Sequence, residues 1–129
     1  MKKSNKRIAI YCRVAQPDND AIYFQQRKLV AYAKAQGYTE IKIYADNGFS
    51  GVSLNRPQFN NLQAAIRADE VSTIIVKSFS RIGRNSVEVA QWVGKMVEIG
   101  VTVISLTEPS GLFDISFILA EALKGGAAK

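Results

Sequence analysis

The sequence predicts an α/β domain of three layers, a mainly parallel sheet of about four or five strands with helices on both faces. Three observations predict it. Short runs rich in β-branched and apolar residues alternate along the chain with longer segments of helical periodicity. The third such run, Val71 to Lys77 (VSTIIVK), is continuously apolar through its middle, as a strand covered on both faces requires. Gly37, Pro57 and Gly100 stand at the joints between segments, where they punctuate rather than interrupt.

Arg7 to Val14 (RIAIYCRV) opens the chain as a buried strand. From Asp20 to Ala35 a helix places Ile22, Leu29 and Ala33 on one face with Gln25 at its edge, and Gly37 supplies the stop. Ile41 to Ala45 is a second, short strand. Asp46 to Arg56 (DNGFSGVSLNR) is crowded with Gly, Asn and Ser and is expected as loop. Pro57 suits the first position of the next helix, where its missing N–H is no loss, and Phe59, Leu62 and Ile66 form that helix's apolar stripe.

After the third strand comes a polar turn, Ser78 to Asn85. Asn85 stands three residues before Glu88, a capping-box spacing, and Val89, Trp92, Val93, Met96 and Val97 line one side of the helix that follows. Gly100 ends it, and Val101 to Leu106 (VTVISL) is the fourth strand. Pro109 and Gly111 then break the chain, and Asp114 to Lys124 is expected as a short helix with Ile115, Ile118, Leu119 and Ala122 on one face. Residues 1–106 thus form the main domain, and 107–129 a short C-terminal helix or the truncated end of the same domain. No internal repeat or low-complexity tract divides the chain.

The 129 residues suffice for one buried core. With 47% hydrophobic and 22% charged residues, the composition belongs to a folded domain rather than a disordered segment. The net charge of +6 admits a polyanionic partner without requiring one. A lone cysteine, Cys12, leaves no disulfide framework and fits a reducing, cytoplasmic location; its ordinary role is a small apolar residue in a strand. No apolar run approaches the ~18–20 residues of a membrane span, and Arg13 interrupts the apolar stretch near the N-terminus, which argues against a signal peptide and a membrane partner. Histidine is absent, so the commonest general base and the commonest zinc ligand are both missing. Any chemistry must run on arginine, carboxylate, serine or tyrosine.

In an open parallel sheet, ligands bind beyond the carboxyl ends of the strands. The first strand ends in Tyr11-Cys12-Arg13-Val14-Ala15, and alternation puts Tyr11, Arg13 and Ala15 on one face. Arg13 there either emerges into solvent or serves a site. The third strand leads into Ser80-Arg81-Ile82-Gly83-Arg84-Asn85. Two arginines about a glycine, in a turn that opens a helix, can aim guanidiniums at one anion, and the guanidinium fork matches phosphate; a merely solvated basic turn is the plain alternative. Arg56 is a further candidate of the same kind, or simply a charge flanking a helix start. A nucleotide-binding α/β domain of the flavodoxin-like kind is disfavoured, because Ala15-Gln16-Pro17-Asp18 is no glycine-rich phosphate loop.

Taken in order, Tyr-Cys-Arg-Val-Ala, a glutamine-bearing first helix, Tyr-Ala-Asp-Asn-Gly-Phe-Ser-Gly, Asn-Arg-Pro, and Ile-Val-Lys-Ser-Phe-Ser-Arg-Ile-Gly-Arg-Asn resemble the N-terminal catalytic domain of the serine site-specific recombinases, the resolvase/invertase family. The resemblance runs from about Arg7 to Leu106 and implies a resolvase-like three-layer fold. It implies cofactor-free, metal-free phosphoryl transfer on double-stranded DNA: a serine attacks a phosphodiester, forms a 5′-phosphoserine link and frees a 3′-hydroxyl, while arginines stabilise the charge. It also implies a homodimer or higher oligomer. Carried over by position, the catalytic set is Arg13, Gln25, Asp46, Arg56, Arg81 and Arg84, with Ser50 matching the loop serine, and the four arginines are the expected DNA-binding residues.

The sequence departs from the family in three places. The nucleophilic serine falls at Ala15, whose methyl group cannot attack phosphorus, so cleavage is expected to be lost and the arginines retained. Ser80 stands where many members carry aspartate. The long helix that builds the family's dimer is at most a stub after the fourth strand. The alternative function is a non-catalytic dimerisation or regulatory module of recombinase ancestry, using the apolar face of residues 115–122.

Overall fold

The structure is a computed structural model that describes residues 7–107. The chain runs β1 (Arg7–Val14), α1 (Asn19–Ala35), β2 (Ile41–Asn47), α2 (Pro57–Arg67), β3 (Val71–Val76), a 3-10 turn (Phe79–Arg81), α3 (Ser86–Glu98) and β4 (Thr102–Ser105). The expected helix Asp114–Lys124, with the apolar face on which a regulatory module would depend, lies outside the described residues.

All three strand pairings are parallel, and the strands lie in the order β2-β1-β3-β4. The order reverses between β1 and β3. From β1 the chain steps to one side through α1, then returns over β1 through α2 to place β3 on the other side. Crossovers of one hand stepping in opposite directions put their helices on opposite faces. One core accordingly packs Ile22, Leu29 and Ala33 of α1 against Ile8, Ile10, Cys12, Ile75 and Ile104. The other packs Phe59, Leu62 and Ile66 of α2 and Val89, Trp92, Val93 and Met96 of α3 against Ala9, Tyr11, Ile74, Val76 and Val103. A register shift where Arg7 and Ile8 pair with Val71 and Thr73 lets Val71 share the second core with Ile74 and Val76, which strict alternation would forbid.

The helix ends form as their sequences require. Asp18 caps α1 by accepting from Ala21 N at 3.0 Å, so the helix begins at Asn19, one residue before the expected start at Asp20. Gly37, at φ +90°, closes it while Tyr38 N donates back to the Ala33 carbonyl. Asn85 caps α3 by accepting from Glu88 N at 2.9 Å.

Two expectations are corrected. Asp46 and Asn47 are strand rather than loop, because they continue the parallel register opposite Arg13 and Val14. Val97 is 55% exposed and does not belong to the buried stripe of α3. That helix covers β4, the edge strand, so the outer flank of its stripe has no neighbouring strand among the described residues. No helix among the described residues is long and apolar enough to cross a membrane.

Candidate active site

The carboxyl ends of β1 and β3 meet where the strand order reverses, the place where an open α/β sheet leaves a crevice. Arg13, the penultimate residue of β1, is buried there. Its Nε donates to the Arg81 carbonyl at 3.0 Å, one terminal nitrogen to the Phe49 carbonyl at 2.9 Å and the other to the Ser80 carbonyl at 2.7 Å. One guanidinium therefore straps the loop after β2 and the turn after β3 to the end of β1. Burial, followed by the neighbouring Arg56 charge, holds its pKa below the ordinary arginine value. Gln25 is buried and pairs with both backbone groups of Arg13, accepting from its N–H at 3.1 Å and donating to its carbonyl at 3.3 Å. This clamps α1 to the strand end.

A second network lies beneath. Arg56 is 1% exposed and donates to the carbonyls of Ser53 (2.8 Å), Arg81 (3.2 Å) and Ile82, and to the Tyr11 hydroxyl at 2.7 Å. Tyr11 in turn donates to Asp46 Oδ2 at 2.7 Å. The Asp46 carboxylate also accepts from Gln58 N at 2.9 Å and Phe59 N at 3.0 Å, the first free N–H groups of α2. Arg56, the residue before that helix, makes no side-chain cap of its own, so a carboxylate from β2 satisfies the helix end instead. The Arg56 guanidinium lies over the rings of Tyr11 and Phe59, at 5.7 and 5.0 Å. Burial, and then the hydrogen bond to Asp46, raise the Tyr11 pKa well above its usual value. Tyr11 is a site residue that sequence reasoning missed; its one signal was that it shares a strand face with Arg13.

Arg81 and Arg84 behave differently. Neither side chain has a hydrogen bond or ion pair among the described residues, and the Arg81 Nε is buried with no partner. Their backbones are nonetheless held: the Arg81 carbonyl accepts from Arg13 and Arg56, and Arg84 N donates to the Gly51 carbonyl at 2.9 Å. At Gly51 the loop passes between two cations. A Cβ there would stand 2.7 Å from an Arg13 terminal nitrogen and 3.0 Å from Arg84 Cγ, so only glycine fits without displacement. Ala15 is exposed, the first residue beyond β1. Ser50 Oγ accepts from Val52 N, and Ser80 Oγ shares a hydrogen bond with Ser78 Oγ.

All four expected arginines thus converge on the turn 80–84, but they divide into two kinds. Arg13 and Arg56 are internal and committed to protein acceptors. Arg81, half-buried, and Arg84, exposed, have side-chain donors with no partner among the described residues. Gln25 and Asp46 likewise face backbone groups of the chain rather than solvent.

A family described as the resolvase N-terminal domain matches residues 8–122. Among solved structures, the N-terminal catalytic domain of TP901-1 integrase is 26% identical at a TM-score of 0.82, covering 96% of this chain and 99% of that one. A resolvase family site-specific recombinase from Streptococcus pneumoniae is 26% identical at a TM-score of 0.74, covering 95% and 89%. A serine recombinase from Sulfolobus solfataricus, 23% identical at a TM-score of 0.63 over 93% and 79%, shares the fold. No curated protein matches the chain.

Proposed function

This chain belongs to the resolvase N-terminal domain family, the catalytic domain of the serine recombinases, and from that premise we propose that it grips the DNA phosphodiester backbone but does not cut it, because Ala15 occupies the nucleophile's position. One observation carries the proposal. On the turn after β3, Arg81 and Arg84 keep guanidinium donors that no described protein group uses, while their backbones are held by hydrogen bonds to Arg13, Arg56 and Gly51. Guanidiniums without protein partners, carried on a turn whose backbone is fixed, suit phosphoryl groups, whose charge they stabilise with little reorganisation.

The roles divide accordingly. Arg81 and Arg84 contact the phosphate. Arg13, Gln25, Asp46 and Arg56 are positioning residues that act through the turn 80–84 and the start of α2. In an active relative, a serine hydroxyl at position 15 forms the new P–O bond, the 3′-oxygen leaves and takes up a proton, and reversal by a 3′-hydroxyl restores the serine. Alanine offers no lone pair, so the first bond does not form. Double-stranded DNA is the proposed partner, gripped without sequence preference because phosphate contacts position and base contacts specify. A homodimer or higher assembly is proposed with it, as the family implies.

The decisive experiment is the Ala15→Ser variant with supercoiled DNA, scored for a covalent protein–DNA adduct on denaturing gels. An adduct with serine and none with alanine is expected. Ala15→Ser with Arg81→Gln should abolish it. An adduct formed by the alanine protein would overturn the assignment of position 15, and failure of either protein to bind duplex DNA at low salt would overturn the proposal as a whole.

A further inference from the structure

Arg81 and Arg84 have different neighbours. Arg84 flanks Gly51 in the loop after β2, whereas Arg81 lines a cleft of about 690 Å³ between α1 and the end of β3, to which Arg84 does not contribute. The cleft floor includes Val14, the residue before Ala15. Arg27 and Lys28 from α1 and Lys77 from the end of β3 line it together with Arg81, and no acidic residue lines it among the described residues. None of these four cations is paired with a carboxylate among the described residues; Arg27 donates only to the Tyr23 hydroxyl, at 3.1 Å. Phe24, 69% exposed, stands on the rim.

Four unneutralised cations in one concavity repel one another, and a soluble domain ordinarily relieves this with interspersed acids. Chain-wide, Asp and Glu number 11 against 17 Lys and Arg, so acids were available elsewhere in the sequence. The walls are also rigidly related. Gln25, one turn from Lys28 on α1, is clamped to both backbone groups of Arg13, and Leu106 N and Thr107 N donate to the carbonyls of Val76 and Lys77 at 3.1 Å each. Concentrated positive charge on a fixed frame, reaching Val14 at the end of β1, matches a run of phosphates better than a single ion.

We propose that this cleft is a second phosphodiester subsite, in which Lys28 and Lys77 take phosphates of the DNA strand adjoining the one held by Arg81 and Arg84, and Phe24 lies against the sugar or base between them. The proposal deepens the function proposed above and rests on it. The DNA strand then follows a track from Gly51 and Arg84, past Ala15 and Arg81, into the cleft. Lysine suits such a subsite, since it meets a phosphate as a point charge and tolerates variation in strand geometry, whereas the reacting phosphate calls for the guanidinium fork.

The test is a titration of an arbitrary-sequence duplex across a range of salt concentrations, comparing the natural chain with Lys28→Gln/Lys77→Gln, Arg81→Gln/Arg84→Gln and Phe24→Ala. Every phosphate that goes unneutralised should lower the slope of log affinity against log salt by about 1, so the lysine pair should remove about 2. Phe24→Ala should weaken binding while leaving the slope unchanged, because stacking and apolar contacts release no counterions. A lysine double variant with unchanged slope, alongside a weakened arginine double variant, would sink the subsite and leave the function proposed above standing. The converse pattern would keep the cleft as the DNA site and sink the arginine assignment. Circular dichroism of each variant guards against misfolding, which these exposed and half-buried side chains are not expected to cause.

Discussion

Arg56 is the side chain on which the interior of the site turns. Its guanidinium meets three carbonyls and the Tyr11 hydroxyl, and through Tyr11 it is linked to Asp46. A buried cation is tolerated when its donors are satisfied and a countercharge is near, and removal of one partner then exposes the cost of the other. Arg56→Met should therefore destabilise the domain by about 3–5 kcal/mol. Tyr11→Phe, which deletes only the bridging hydroxyl, should cost about 1–3 kcal/mol. Urea unfolding measures both, and a loss below about 1 kcal/mol for Arg56→Met would show that the network is not structural. Arg56→Lys should rescue little, since a point ammonium cannot match a fork that reaches Ser53, Tyr11 and Ile82 together.

At the scale of elements, the site is a junction of two connections rather than a property of either. The loop after β2 is drawn in by Gly48 N and Phe49 N, which donate to the Val14 carbonyl at 2.9 and 3.1 Å, and by Arg13 on the Phe49 carbonyl. The turn after β3 is held by Arg13 and Arg56 on its carbonyls. Gly51 is where the two touch. Gly51→Ala should push Arg13 and Arg84 apart: a Cβ 2.7 Å from a nitrogen already bonded to a carbonyl cannot be accommodated by that side chain alone. Duplex DNA affinity is expected to fall severalfold, with a stability loss of about 1–3 kcal/mol from the overpacked, buried position. A large stability loss with unchanged DNA affinity would show that the close approach serves the fold and not the site.

At the scale of the whole molecule, the two cores are separated by a sheet whose central strand, β1, carries titratable groups into both. Cys12 faces the α1 core and Tyr11 the α2–α3 core. Burial pushes the Cys12 thiol up to about 12 from its ordinary 9.0, and it raises Tyr11 as well. The folded state thus holds protons that the unfolded chain surrenders, so stability is fully present below about pH 9 and declines as the pH rises toward 12. Denaturant midpoints should fall steadily as the pH climbs through that window. Over the same range Cys12 in the natural chain should resist alkylation until unfolding begins. A midpoint indifferent to pH, or a thiol that reacts freely in the folded protein below about pH 9, would contradict the burial of β1 on both faces.

Periodicity and punctuation gave away most of the elements. Helix stripes, Pro57, the glycine stops and the Asn85 cap are consequences of neighbours three or four residues apart, and such local physics is written in any window of sequence. Motif order likewise pointed to the family, and so to which arginines gather. What local sequence could not carry was the allotment of roles among them. Arg13 and Arg56 look as available as Arg81 and Arg84 on paper, yet carbonyls lying between 25 and 68 positions away engage every nitrogen of Arg13 and both terminal nitrogens of Arg56. Asp46 similarly caps a helix that begins 11 residues after it, and Lys28 and Lys77, unremarkable in their own segments, become one cleft only when α1 folds over the end of β3. Whether a charge is committed or free depends on which backbone groups the topology brings within hydrogen-bonding reach of it, and tertiary structure alone decides that.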